Sequence, residues 1–297
     1  MRRFLIIGVA CVLSLGLAAC SALRFVYNQG PQWAYWWLDN YADFHDDQEP
    51  RVEEALQQWF TWHRRTQLAD YAGLLERARA EVQQPATPAQ VCGWWDVALK
   101  RRDEAVDAAI PAIATLAPML KPDQLVNIDK QLVKANNELR EEYLQDDPED
   151  RRKAAVKRTI ERIETLYGRL DKPQRDYVAR MVDKSPWKPE RWLAEREQSS
   201  RDTLATLRAL TRPDLAADQV PPLVRAWTAR TLKTTPRDEA AQRYEDEVRD
   251  YNCKFIAEMH NLTNATQRKH AMEKIQGWRQ DLISLAGINF SQNGAVR

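Results

Sequence analysis

The sequence predicts an all-α protein, an elongated multi-helix bundle of helical hairpins that follows a cleaved amino-terminal leader. Three observations predict it. Apolar residues recur at steps of three and four over long stretches, the period of a helix with one buried face. A short start signal, in which a Leu or a capping residue precedes Pro and Gln, is repeated along the chain. Only 9 of the 297 residues are glycine while 29% are charged, and no stretch shows the alternation of a strand.

The leader comes first. Arg2 and Arg3 precede an uncharged apolar run from Phe4 to Ala19, which ends in Leu17-Ala18-Ala19-Cys20. A secretory signal has this layout, and the run is shorter than the roughly 18 residues a spanning helix needs. An uncleaved membrane helix is the alternative. Leu17-Ala18-Ala19-Cys20 resembles the bacterial lipobox, which implies cleavage before Cys20 and a diacylglycerol on its thiol. That covalent lipid is the only prosthetic group expected; no cofactor or metal is. Ser21 stands where Asp would signal retention at the inner membrane, so the resemblance implies the periplasmic face of the outer membrane. The resulting organisation is a signal peptide (1–19), a lipid-anchored aromatic-rich linker with a short helix (20–47), a helical domain (48–286) and a flexible tail (287–297).

Charge and cysteine usage narrow the classes. The chain carries 44 basic and 43 acidic residues, and the leader takes two arginines and no acid with it. So even a balance argues against nucleic acid as a partner and against a polybasic membrane patch. Cys11 leaves with the leader and Cys20 is consumed by lipid, which leaves Cys92 and Cys253. In an oxidising compartment an even pair reads as a disulfide. It closes a loop of about 160 residues, worth on the order of 4–5 kcal/mol in the chain-entropy model. Two separate buried thiols are the alternative.

The elements follow in order. Pro31 suits the first turn of a short helix ending near Ala42, in a region dense in Phe25, Tyr27, Trp33, Tyr35, Trp36, Trp37, Tyr41 and Phe44. From Gln48 to Val82 the apolar spacing predicts one long amphipathic helix, stopped by Gln84-Pro85. Thr87-Pro88-Ala89-Gln90, Lys121-Pro122-Asp123-Gln124, Asp171-Lys172-Pro173-Gln174 and Asn264-Ala265-Thr266-Gln267 are capping-box starts. They predict helices near 88–118, 122–146, 149–169, 173–183, 188–210, 237–261 and 265–286, with a kink at Pro111 and a loop from Thr211 to Pro222.

The strongest chemical cluster is Trp59 to Tyr71. An imidazole and guanidinium groups beside indole rings can hold an anionic or glycan ligand. Trp36, Trp37, Tyr41, Trp62, His63, Arg64, Arg65 and Tyr71 are therefore the expected partner-binding residues. The alternative is that the tryptophans are core anchors and the arginines solvated. His45-Asp46-Asp47 with His63 offers nitrogen and oxygen donors, but no H-E-x-x-H or paired cysteines accompany them. No G-x-S-x-G and no glycine-rich phosphate loop is present, and the glutamates sit in charged helical stretches.

Two resemblances bear on this pattern. Cys20-Ser21, Tyr27-Asn28, the Tyr41 to Gln48 segment, Trp62-His63-Arg64-Arg65 with Tyr71-Ala72, and the later Pro–Gln starts look like a proteobacterial lipoprotein family that is a domain of unknown function. That likeness implies location and fold and no activity. Leu120-Lys121-Pro122-Asp123-Gln124 and Leu170-Asp171-Lys172-Pro173-Gln174 are similar to the L-T-x-x-Q signature of Spy-type periplasmic chaperones, although Lys121 and Asp171 replace the Thr. The expectation is a non-enzymatic envelope protein that binds another envelope protein or an unfolded client through a helical surface. A cell-wall-acting enzyme or a glycan-binding lipoprotein is the alternative.

Overall fold

The computed structural model describes residues 23–231 and 238–287. Cys20, Ser21 and the tail beyond Gly287 lie outside the described residues. Among those described the chain is helical with no strand: α1 (Gly30–Ala42), α2 (Glu49–Thr66), α3 (Leu68–Glu81), α4 (Pro88–Asp107), α5 (Ile110–Leu116), α6 (Pro122–Tyr143), α7 (Pro148–Tyr167), α8 (Lys172–Lys184), α9 (Pro189–Leu210), α10 (Val220–Thr231), α11 (Glu239–Asn261) and α12 (Ala265–Ala286). Residues 23–28 add a helical segment ahead of α1.

The expected all-α bundle is what forms, with three departures. The long helix predicted from Gln48 to Val82 is interrupted at Gln67, between α2 and α3. Thr66 Oγ1 donates to the Trp62 carbonyl one turn back, at 2.8 Å, and such back-bonding bends helices. The helix predicted over 88–118 breaks after Asp107 and restarts at Ile110, with Pro111 in the first turn of α5. The stretch from Val220, expected to be loop as far as Pro222, instead begins α10. Pro221 and Pro222 sit in its first turn, where backbone N–H groups have no intrahelical acceptor and a proline costs little.

The capping starts form as written and do more than cap. Thr87, Asp171 and Asn264 each accept from the N–H of the third helical residue, Gln90, Gln174 or Gln267. Each Gln side-chain oxygen reaches back to the cap's own N–H. Lys121 has no acceptor, so Gln124 supplies half a box there, and the Lys121 ammonium goes to His45 Nδ1 at 2.8 Å. Gln174 and Gln267 then pair across the fold, each amide donating to the other's oxygen at 2.7 and 2.8 Å. Gln48 and Gln124 form the same reciprocal pair at 3.0 and 2.8 Å. All four are buried. Every amide in both pairs makes four hydrogen bonds, the remainder to backbone at Met119, Asp43, His45, Leu262, Arg169 and the cap positions Lys121, Asp171 and Asn264. A full complement is what makes a buried amide tolerable.

Among the described residues, apolar burial includes three clusters. Ala42, Ile110, Ala117, Ile128, Leu210 and Val224 bring α1, α5, α6, α9 and α10 together. Val82, Ala271 and Ile275 join α3 to α12, which lie along each other. Leu170, Val178 and Met259 join α7, α8 and α11. Cys92 on α4 and Cys253 on α11 form the expected disulfide, with Cα atoms 5.4 Å apart and a sequence separation of 161. α4 and α11 accordingly pack side by side.

Candidate functional site

The aromatic residues between Phe25 and Tyr71 do not make one surface. Those at the α2–α3 bend turn inward. His63 stacks on Trp59, ring centroids 5.0 Å apart, with Tyr71 edge-on at 5.5 Å and Trp62 at 6.1 Å. Trp59 Nε1 donates to the Ala105 carbonyl at 2.9 Å, tying the bend to α4. Tyr27 Oη lies 2.9 Å from His63 Nδ1. Burial pushes the Tyr27 phenol up to about 12, so it keeps its proton. Burial also lowers the His63 imidazole, which favours its neutral form in that bond. Arg64 lies over the Tyr27 ring at 5.2 Å and donates to Asn28 Oδ1 at 2.8 Å, while Arg65 is exposed.

Trp36 and Trp37 face the other way. On α1 they are 58% and 61% exposed, and Tyr41 is half-buried with its ring 5.0 Å from that of Trp37. The eight residues expected to form one partner-binding face are thus divided between an inward cluster (Trp62, His63, Arg64, Tyr71), an outward stripe (Trp36, Trp37, with Tyr41 at its edge) and the exposed Arg65. His45, considered as a metal donor, is engaged by Asp123 Oδ2 at 3.1 Å and by Lys121. Among the described residues no three His, Cys, Asp or Glu side chains gather as a metal site requires.

A cleft of about 630 Å³ opens where the ends of α6 and α8, the face of α7, the start of α9 and α11 converge. Arg151, Ala155, Arg158 and Arg162 fall at helical spacing on the α7 face that lines it. Opposite them stands an aromatic triad. Tyr143 lies 5.0 Å from Trp192 and 6.1 Å from Trp187, and the two indoles are 6.1 Å apart. Asp183 is the only carboxylate in the lining.

The four guanidiniums have unlike partners. Arg152 pairs with Asp183, its Nη2 2.7 Å from Oδ2, and holds that carboxyl below its usual range. Arg151 reaches Glu190 at 2.6 Å from the rim and the Gln145 carbonyl. Arg158 stacks over Tyr143 at 4.3 Å and donates to the Glu142 carbonyl, so it is oriented, and it meets no carboxylate among the described residues. Arg162 is exposed and meets no carboxylate among the described residues. The cleft therefore offers two cations and an aromatic wall to one ligand. It draws on residues 143 to 255, so no local pattern in the sequence marks it; the Arg spacing on α7 was the available signal, and it reads equally as a solvated face.

The described residues thus form an all-α bundle with a cationic, aromatic-walled cleft. The profile of the family of unknown function DUF6279 matches residues 40–217, and the chain belongs to that family. The matched span holds α2 to α9 complete, including most of the cleft. Comparison with curated proteins and with solved structures returns no match.

Proposed function

We propose that this chain is a non-enzymatic lipoprotein, acylated at Cys20 and held on the periplasmic face of the outer membrane, that binds an acidic segment of another envelope protein in the α7–α9–α11 cleft. The observation that carries the reading is that Arg158, stacked on Tyr143 of the Tyr143–Trp187–Trp192 wall, and Arg162, in the lining of the same cleft, meet no carboxylate among the described residues. Arg and Trp are the side chains most often dominant in protein recognition, because a planar cation and a large ring both bind strongly when water is excluded. A segment with one carboxylate and an adjacent apolar or aromatic side chain satisfies both halves. The leader and Leu17-Ala18-Ala19-Cys20 support the location, and the Cys92–Cys253 disulfide suits an oxidising compartment.

The test is a cross-linking pull-down of the full chain from native membranes, with the double variant Arg158→Glu, Arg162→Glu beside it. The double variant is expected to lose the partners that the unaltered chain recovers. An Arg64→Glu, Arg65→Glu chain is expected to keep them, because those residues belong to a different surface. Unchanged recovery by the Arg158/Arg162 variant overturns the proposal. Aromatic walls also stack sugars, so displacement of the partner by soluble cell-wall fragments would replace the protein segment with an anionic glycan.

A further inference from the structure

The stripe on α1 is independent of that cleft and calls for a different occupant. Trp33, Trp36, Trp37 and Asn40 lie within one face of α1, and Tyr35, Leu38 and Ala42 lie on the opposite face, which packs into the fold. Ahead of α1 the stripe continues through Phe25, 59% exposed, whose ring meets Trp33 at 6.2 Å, and through Val26. Five large apolar side chains are thus left in water within thirteen residues of chain. Single exposed apolar residues need no explanation; a contiguous run of them does.

Charge and position say what covers it. From Ser21 to Leu38 the sequence holds one charged residue, Arg24, and that residue is turned to Asp281 on α12 at 3.1 Å. The first carboxylate, Asp39, is turned back to accept from the Phe44 N–H. The stripe begins five residues after Cys20, at the end of the uncharged run from Phe4 to Ala19. Three Cα–Cα steps lead from Cys20 to Leu23, a reach of at most about 11 Å. Whether that run is cleaved and replaced by acyl chains at Cys20 or retained, it brings a bilayer to this end of the molecule.

The stripe is also held still. Arg24 is fixed to α12, and Tyr27 and Asn28 are bonded to His63 and Arg64. Gly30 packs so tightly on Phe60 that a Cβ there would stand 2.4 Å from the ring. The indoles are presented on a backbone fastened to the bundle.

We infer that Phe25, Val26, Trp33, Trp36 and Trp37 form a membrane-interface surface that beds into the phospholipid headgroup region beside the anchor. Indole suits that place because its ring is apolar and its N–H still finds a polar partner. An amphipathic helix lying in the interface plane buries such a face a few ångströms deep. The contact adds a second, protein-borne attachment to the lipid, and it sets the orientation of the bundle on the bilayer.

The experiment places a photoreactive phenylalanine analogue at position 37 of the full chain in native membranes, with the same analogue at Ile256 on α11 as a control. After irradiation, the chain altered at 37 is expected to gain the mass of one phospholipid and the control is not. Adducts at 37 to another polypeptide or to a second copy of the chain, or no adduct at all, overturn the inference. In vesicles of phosphatidylethanolamine and phosphatidylglycerol, brominated lipid is expected to quench emission from three of the eleven tryptophans. The triple variant Trp33→Phe, Trp36→Phe, Trp37→Phe is expected to lose that quenching, and equal quenching in both chains counts against it. Neither readout touches Arg158 or Arg162, so this surface and the cleft stand or fall separately.

Discussion

Two tryptophan groups stand within thirty residues of one another, and the fold uses them oppositely. At the α2–α3 bend, Trp59, Trp62 and His63 pack on one another, and Trp59 Nε1 and His63 Nδ1 are answered by protein. On α1, Trp33, Trp36 and Trp37 stay in solvent behind a helix whose other face supplies the core. In composition the groups are alike. What separates them is whether a neighbouring element offers an acceptor: α4 brings the Ala105 carbonyl to Trp59, and among the described residues no helix covers the outer face of α1 to do the same. Aromatic density marks where binding energy is available, and packing decides whether the fold or a partner spends it.

That contrast can be broken by mutation, and the largest effect belongs to the inward group. Trp59→Ala removes a stacked ring and a tie to α4, and should lower the unfolding free energy by about 3 kcal/mol, read as an earlier urea midpoint. Tyr27→Phe leaves the half-buried His63 Nδ1 without its hydrogen-bond partner and should cost about 1–2 kcal/mol by the same measurement. A shift comparable to that of Trp59→Ala would mean that the leading segment is a larger part of the core than its contacts indicate.

Acidification sharpens the comparison further. Burial lowers the imidazole of His63, and it does the same to His260, which is bonded to Tyr167 and to the Gln84 carbonyl. Their folded-state values lie below the unfolded value near 6.5, so the unfolded chain binds more protons in the interval between. The stability these groups supply is full above that value and is lost as pH falls through it towards the folded values. Unfolding curves from pH 7.5 to 5 should show the decline, and His63→Phe should make it shallower. Parallel curves for the two chains would remove His63 from the account. Trp36→Ala and Trp37→Ala stand at the other end of the scale, each within about 0.5 kcal/mol of the unaltered chain, because neither side chain contributes to a buried cluster.

Much of the fold was legible because its signals are local. Thr87, Asp171 and Asn264 announce helix starts through atoms three residues away, and the structure forms each box as the spacing predicts. The disulfide was legible by elimination once the leader was set aside. Other features depend on partners far along the chain. The N3 glutamines read as caps, and nothing near Gln174 indicates that Gln267 completes its hydrogen bonds. α10 was hidden by Pro221 and Pro222, whose usual meaning reverses in a first turn. Of the candidate site, the residue types were visible but their division into two surfaces was not, and the cleft needs α11 to close it.

The bond between Cys92 and Cys253 carries a consequence for how the molecule is made. In a chain whose leader is gone and whose Cys20 bears its lipid, each remaining thiol has a single possible mate, so oxidative refolding has no scrambled isomer to escape from. A precursor still carrying Cys11 and Cys20 has rivals for both. On the acylation proposed above, lipid transfer ahead of oxidation would proofread the cystine, and a strain slow in that transfer should accumulate misbridged forms that a non-reducing gel resolves.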